Sequence, residues 1–117
     1  MVRRTVLAAQ SIYYLLTGAW PLASMKTFTA VTGPKTDVWL MRMVAALACT
    51  NGAALGAAVL FDEDDTVTAR TLAVASAIGF AAIDVVYVMR RRISPVYLGD
   101  AAVELALAAA VLTASDD

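Results

Sequence analysis

The sequence predicts an all-α fold in which four antiparallel transmembrane helices form a single integral membrane domain over residues 1–117. Three observations lead to this prediction. The chain is 61% hydrophobic with a mean hydropathy of +0.72, whereas soluble domains are about 45–50% apolar. The apolar residues form four runs, each close to the ~20 residues that a helix needs to cross a bilayer. The breaks between these runs are short and polar, which is typical of loops between spanning helices.

The first two predicted helices cover residues 6–24 and 38–61. The first apolar run continues through Trp20 without a small-residue cleavage site, so we expect a retained helix and not a cleavable signal peptide. Residues 26–37 are polar and contain a Gly-Pro turn signal. Asp37 stands directly before the second run, where a carboxylate can cap the helix N-terminus.

The last two predicted helices cover residues 67–89 and 94–114. The acidic run at residues 62–65 precedes the third helix, and Asp65 or Thr66 is the expected cap. Three consecutive arginines at residues 90–92 separate the third helix from the fourth. Ser94 followed by Pro95 is the pattern of an N-cap with proline at the first helical position.

Basic residues near the ends of the runs predict the orientation, because cytoplasmic loops carry an excess of lysine and arginine. We therefore expect the loop at residues 26–37 (loop one) and the loop at residues 90–92 (loop three) in the cytoplasm and both termini outside, an orientation that Arg3 and Arg4 oppose. The basic residues near loops one and three are Lys26, Lys35, Arg42, Arg90, Arg91 and Arg92. The aromatic residues that we expect at the same interface are Trp20, Trp39, Tyr87 and Tyr97.

The composition excludes several classes of function. A net charge of −1 provides no basic surface for nucleic acid. Cys49 is the sole cysteine and the chain has no histidine, which excludes an intramolecular disulfide, a thiolate metal cluster and histidine chemistry. We therefore expect no metal and no cofactor. The preference for arginine, with clustered acids and abundant alanine, is typical of a GC-rich, salt-adapted prokaryote, although a short acidic loop is also ordinary solvated surface.

Ionisable residues inside the apolar runs form the candidate site. Arg42 lies about one turn into the second run, Asp84 lies towards the end of the third, and Asp100 and Glu104 share one face of the fourth. Because a charged residue costs about 2.5–3.5 kcal/mol at the centre of a spanning helix, we expect all four to face inward, with Arg42 as the counter-ion. One arginine cannot neutralise three acids, so at least one acid, first of all Glu104, should be protonated, hydrated or paired with a group outside the chain.

Other polar residues point to the same half of the protein. We expect Gln10, Tyr14, Asn51 and Tyr97 to line the site, and Lys35 and Asp37 to form a loop close to it. A site, if present, should therefore open towards loops one and three. The alternative interpretation is structural, since clusters of acids and arginine also hold membrane helices together.

Two stretches carry a resemblance. Residues 31–40 read VTGPKTDVWL, and residues 93–100 read ISPVYLGD with Glu104 following; Trp20, Pro21 and Leu22 add a third point. In these motifs the chain resembles a group of small, uncharacterised four-helix membrane proteins of bacteria and archaea. The resemblance implies the topology and places loop one beside Asp100, but it implies no reaction.

These observations lead to one main hypothesis and two alternatives. The main hypothesis is a small polytopic membrane protein, not an enzyme, that binds a small ligand, a lipid or a partner helix through its charged cluster. The bilayer is its expected partner, together with a second copy or another membrane protein. The first alternative is a proton- or ion-coupled transporter or channel acting as an oligomer. The second is a membrane enzyme that uses carboxylate acid–base chemistry on a lipid-like substrate.

Overall fold

The protein was analysed as a computed structural model that describes residues 2–115. Over this range it contains helices and no β-strand, so the all-α class predicted from the sequence is correct. The five helices of the described residues are α1 (Arg3–Ala23), α2 (Met25–Thr32), α3 (Val38–Leu60), α4 (Val67–Met89) and α5 (Tyr97–Thr113).

The predicted architecture of four transmembrane helices is wrong. Among the described residues, only α3 and α4 are long and apolar enough to cross a membrane. In α1, the polar side chains of Gln10, Tyr13 and Thr17 lower the apolar character of the helix. α5 begins at Tyr97 and has 17 residues, fewer than the ~20 that a spanning helix needs. Counting apolar runs missed both the polar residues inside the first run and the late start of the last helix.

The loop predicted over residues 26–37 contains a helix, α2, that the sequence analysis missed. Ser24 ends α1 and caps α2, because its side chain accepts a hydrogen bond from the backbone N–H of Thr27. Gly33 then ends α2 at a positive φ of 98°, which only glycine adopts without strain. α2 folds back beside the end of α1, and its Phe28 ring packs edge-on against Trp20 with centroids 5.2 Å apart.

The predicted helix starts had different outcomes. Thr66 caps α4 by accepting a hydrogen bond from the N–H of Ala69, as predicted. Asp37 occupies the N-cap position of α3 but its side chain makes no capping hydrogen bond. The predicted start at Ser94 is wrong: α5 begins at Tyr97, because Ser94 bonds the N–H of Val96 in a turn that precedes the helix.

α1 packs closely along α3 because small residues face each other there. A Cβ on Gly18 would lie 2.7 Å from the Ala45 carbonyl oxygen, and one on Gly52 would lie 2.9 Å from the Ser11 carbonyl oxygen. The Ser11 hydroxyl donates to the Gly52 carbonyl at 2.6 Å. The small residues on this side of α3 thus pack against α1 within the chain, because small residues let two backbones approach.

The end of the molecule that holds the acidic loop is closed by ion pairs. Arg3 binds Asp65 at 2.7 Å and Arg4 binds Asp62 at 2.6 Å. The backbone N–H of Arg3 also donates to the Ser115 carbonyl oxygen at 2.9 Å, so the start of α1 lies beside the end of α5. The acidic run thus serves the attachment of the N-terminal helix, although exposed ion pairs contribute only about 0–1 kcal/mol each.

The two candidate spans keep most of their apolar surface outside the protein. Only 17% and 22% of the most apolar windows of α3 and α4 are buried within the chain, whereas the core helix of a soluble protein is mostly buried. Large side chains such as Trp39, Leu47 and Ile83 are more than half exposed. Exposed apolar surface of this extent needs an apolar partner or a lipid environment.

Candidate functional site

A cavity of about 760 Å³ lies at the end of the molecule that carries loops one and three. All five helices contribute to its wall, and the loop before α3 and the turn before α5 complete its rim. Aromatic and aliphatic side chains form most of the lining, with four carboxyl groups among them, those of Asp37, Asp84, Asp100 and Glu104. This is the side on which the sequence analysis placed the opening of a site. The aromatic lining residues include Tyr13, Tyr14, Trp20, Phe28, Phe80 and Tyr97.

The three acids, Asp84 of α4 with Asp100 and Glu104 of α5, meet in this cavity and are called the carboxyl cluster here. Asp84 and Glu104 are buried, with 7% and 2% of their surface exposed. Asp84 and Asp100 are neighbours in the cavity wall. Two ionised carboxylates repel and can only accept hydrogen bonds, so a proton on one of them or a donor between them would stabilise the pair.

Two tyrosines of α1 bind the two acids of α5. The Tyr13 hydroxyl donates to Asp100, and the Tyr14 hydroxyl donates to Glu104 at 2.8 Å. Adjacent residues of one helix reach acids four residues apart on the other, because Asp100 and Glu104 share one face of α5. The interface between α1 and α5 therefore holds the two α5 acids of the cluster in place.

Gln10 orients the Tyr14 hydroxyl. Its amide nitrogen donates to the Tyr14 oxygen at 3.0 Å and to the Ala73 carbonyl oxygen at 2.8 Å. Since the Tyr14 oxygen accepts from Gln10, its hydrogen is available for Glu104. The Phe80 ring contacts Tyr14 edge-on, with centroids 5.5 Å apart. Gln10 is buried beneath the cavity and is not part of its lining.

Asp84 is the member of the cluster whose hydrogen bonding is incomplete. Its Oδ2 atom is buried and receives no hydrogen bond from any donor of the described residues. No ion pair within the described chain involves Asp84, Asp100 or Glu104. A buried carboxyl group without a donor costs free energy unless it is protonated or bound to something else.

The structure does not bring Arg42 to the cluster. Arg42 is exposed on the outer side of α3, does not line the cavity and forms no ion pair with a described residue. Its neighbours Met41, Val44 and Ala45 face the cavity instead. The expectation that Arg42 is the counter-ion is therefore not met, because the helix presents that position to the outside.

Asn51 also lies away from the cavity. Its side-chain nitrogen donates to the Ser76 hydroxyl at 3.1 Å and links α3 to α4. The other predicted lining residues, Tyr14 and Tyr97, do line the cavity, and so do the predicted loop residues Lys35 and Asp37.

Lys35 occupies the rim with all three of its N–H donors used. Its ammonium group donates to the carbonyl oxygen of Thr32 at 3.1 Å, to the Thr32 hydroxyl at 3.3 Å and to the carbonyl oxygen of Gly33 at 3.0 Å. It also lies 5.2 Å from the centre of the Tyr97 ring and 5.8 Å from that of Phe28. These contacts hold the loop after α2 against the start of α5.

Sequence reasoning did not place Tyr13, Phe28 or Arg92 among the site residues, although all three line the cavity. Tyr13 adjoins Tyr14, and its position one residue before an inward-facing tyrosine was the available signal. Phe28 lies on α2, so missing that helix also removed Phe28 from the site. Arg92 belongs to the arginine run before α5, and nothing in the sequence distinguishes it from its two neighbours.

No protein-family model, no curated protein and no solved structure matches this chain. The resemblance of residues 31–40 and 93–100 to a group of small membrane proteins therefore stays a prediction. The shape and chemistry of the cavity are therefore the features that indicate a function.

Proposed function

We propose that the protein is a membrane protein that binds a small amphipathic molecule in the cavity beside loops one and three. One observation carries the proposal: the cavity is large, mostly apolar and lined by Asp84, a buried carboxyl group whose Oδ2 atom has no hydrogen-bond donor among the described residues. A cluster that served only to hold helices together would have its polar atoms satisfied within the chain. A bound molecule with a donor group supplies what is missing.

The membrane part of the proposal is supported by α3 and α4. Both helices have the length and apolar character of membrane spans and expose most of that apolar surface. The longest dimension of the protein is 43 Å, which is close to the roughly 40–45 Å of a bilayer with its headgroup regions. In this proposal the basic residues place loops one and three, and with them the cavity, on the cytoplasmic side.

The size of the cavity fits a small ligand. Binding sites for small molecules occupy about 300–1,000 Å³ and combine an apolar lining with few polar groups, and this cavity of about 760 Å³ has both features. The aromatic rings of Trp20, Phe28 and Phe80 would contact an apolar body. The carboxyl cluster would fix its polar end.

Two variants of α3, in each of which one alanine is replaced by phenylalanine, test this proposal. Ala48 lines the cavity, whereas Ala46 is exposed on the outside of the same helix. We expect Ala48→Phe to fill the cavity and to remove amphipathic molecules that remain bound through purification in mild detergent. Ala46→Phe adds the same volume outside and should leave them in place. Mass spectrometry of the extracted molecules measures both effects.

Two results would contradict the proposal. One is a wild-type protein that is folded by circular dichroism and retains no small molecule. The other is equal retention by the wild-type protein, Ala48→Phe and Ala46→Phe, because binding would then lie outside the cavity.

A further inference from the structure

We infer that the ligand is a hydrophobic amine that binds as a cation, with its N–H group between Asp84 and Asp100 and its apolar part against the aromatic wall. This inference rests on the proposed function and names the chemical class of the ligand. It follows from three features of the cavity: the charge of its acids, the hydrogen bonding of each acid, and the aromatic rings beside them.

The hydrogen bonding separates Asp84 from the other two acids. Asp100 and Glu104 each accept a hydrogen bond from a tyrosine hydroxyl, whereas Asp84 Oδ2 has no donor among the described residues. Asp84 is 7% exposed and lines the cavity. Because Asp84 lines the cavity, a bound molecule can supply a donor to this carboxyl group there.

A cationic donor fits better than a neutral one. The carboxyl groups of Asp84 and Asp100 lie against each other, and neither has a basic partner among the described residues. A neutral hydroxyl would satisfy one oxygen, but a proton would still be needed on one of the two carboxyl groups to avoid their repulsion. An ammonium group donates to both and neutralises charge, and such charge-assisted hydrogen bonds are about twice as strong as neutral ones.

The aromatic lining also suits an ammonium group, because ring faces attract cations within about 6 Å. The wall already shows this interaction, with the Lys35 ammonium 5.2 Å from the Tyr97 ring centre and 5.8 Å from that of Phe28. Tyr13 and Tyr14 bring two further rings to the cluster. An amine with an apolar body therefore finds favourable contacts at both ends.

Anionic amphiphiles and metal ions fit less well. The three donors of Lys35 are bound to its own loop, so this lysine offers no free donor to an anionic headgroup, and Arg92 lies on the exposed rim.

Carboxyl groups also bind divalent cations. However, the residues that the structure describes contain no group of three or more metal-ligating side chains arranged around a common point.

Three probes with one skeleton test the inference: 4-phenylbutylamine, 4-phenyl-1-butanol and 4-phenylbutyrate. The full-length protein is placed in phosphatidylcholine nanodiscs, and empty discs correct for partitioning into lipid. We expect saturable binding of the amine at least ~10-fold tighter than that of the alcohol, which corresponds to one charge-assisted contact. The carboxylate should bind most weakly of the three.

Two variants locate the charge that is responsible. Asp84→Asn keeps the shape of the side chain and removes its charge, so the preference for the amine over the alcohol should fall to about the level of a neutral contact, ~3-fold or less. Retained binding of the alcohol shows that the cavity of this variant is intact. Glu63→Gln removes an exposed acid at the opposite end of the helices and should leave the preference unchanged.

The outcomes separate the inference from the proposed function. Equal binding of amine and alcohol, or tightest binding of the carboxylate, overturns the amine inference while the ligand cavity stands. If none of the probes binds but Ala48→Phe still removes a retained molecule, the inference falls and the proposed function is kept. If no probe binds and no molecule is retained, both are wrong. An equal loss of the preference in Glu63→Gln and Asp84→Asn also overturns the inference, because the effect would come from net charge alone.

Discussion

Tyr14 is the residue that connects the carboxyl cluster to the core. It is 1% exposed, accepts a hydrogen bond from Gln10, donates one to Glu104 and packs against the Phe80 ring. The contact with Gln10 lies within α1, whereas the contacts with Glu104 and Phe80 join α1 to α5 and to α4. The position of Glu104 in the cavity therefore depends on a single hydroxyl group.

Replacing Tyr14 by phenylalanine should destabilise the protein. The ring remains, but one donor of Gln10 loses its acceptor and Glu104 loses its donor in a buried setting, which costs about 1–3 kcal/mol. Thermal unfolding in detergent measures the change. Tyr87→Phe is the matched control, because Tyr87 is 38% exposed and its hydroxyl makes no hydrogen bond with a described residue; equal losses in both variants would contradict the role given to Tyr14.

The sequence predicted the three acids of the site but not the surroundings of Arg42. Asp100 and Glu104 lie four residues apart, and helical geometry alone places them on one face. Asp84 joins them because the third and fourth runs are antiparallel and adjacent. α3, in contrast, is apolar on nearly all sides, so no periodicity indicates which of its faces is turned inward. The direction of Arg42 depends on tertiary packing.

At the scale of the elements, the close packing of α1 on α3 determines where the cavity begins. Gly18 and Gly52 allow contact between the two backbones, and the Ser11 hydroxyl binds α3 at the second of these positions. Towards loop one, larger residues replace these glycines, and Trp20 and Leu40 line the cavity that opens between the helices.

Substituting alanine for Gly52 should weaken this contact. The added Cβ would lie 2.9 Å from the Ser11 carbonyl oxygen and 3.0 Å from Leu15 Cγ, so α1 must shift, and overpacking of this kind costs about 1–3 kcal/mol. Gly79→Ala is the control, because a Cβ there meets no atom within 4 Å. We expect a lower unfolding temperature for Gly52→Ala and an equal or higher one for Gly79→Ala. The reverse order would show that this interface does not limit stability.

Helix α2 shows what hydropathy cannot reveal about the elements. Its eight residues are too few to stand out among longer apolar runs. Ser24, a residue type that favours the N-cap position, was the available signal of a new N-terminus. The helix places Phe28 and Val31 on the cavity, so the missed element is one that builds the site.

At the scale of the whole molecule, apolar side chains lie on the outside and polar side chains lie in the interior. The outer sides of α3 and α4 are apolar and exposed, whereas the polar side chains of α1, α4 and α5 meet inside. A sequence reveals the first property through hydropathy. The second depends on which helices become neighbours. The predicted number of spanning helices was wrong because the polar residues of this buried network lie within apolar runs of the sequence.

The acids of the carboxyl cluster lie where an apolar molecule that enters the cavity can reach them. Labelling with dicyclohexylcarbodiimide, an apolar reagent that modifies protonated carboxyl groups, tests this most directly. In phosphatidylcholine nanodiscs, peptide mapping should find the label on Asp84 or Asp100, with much less on Ala48→Phe and normal labelling of Ala46→Phe. Label confined to the exposed acids at residues 62–65, or unaffected by Ala48→Phe, would contradict the account.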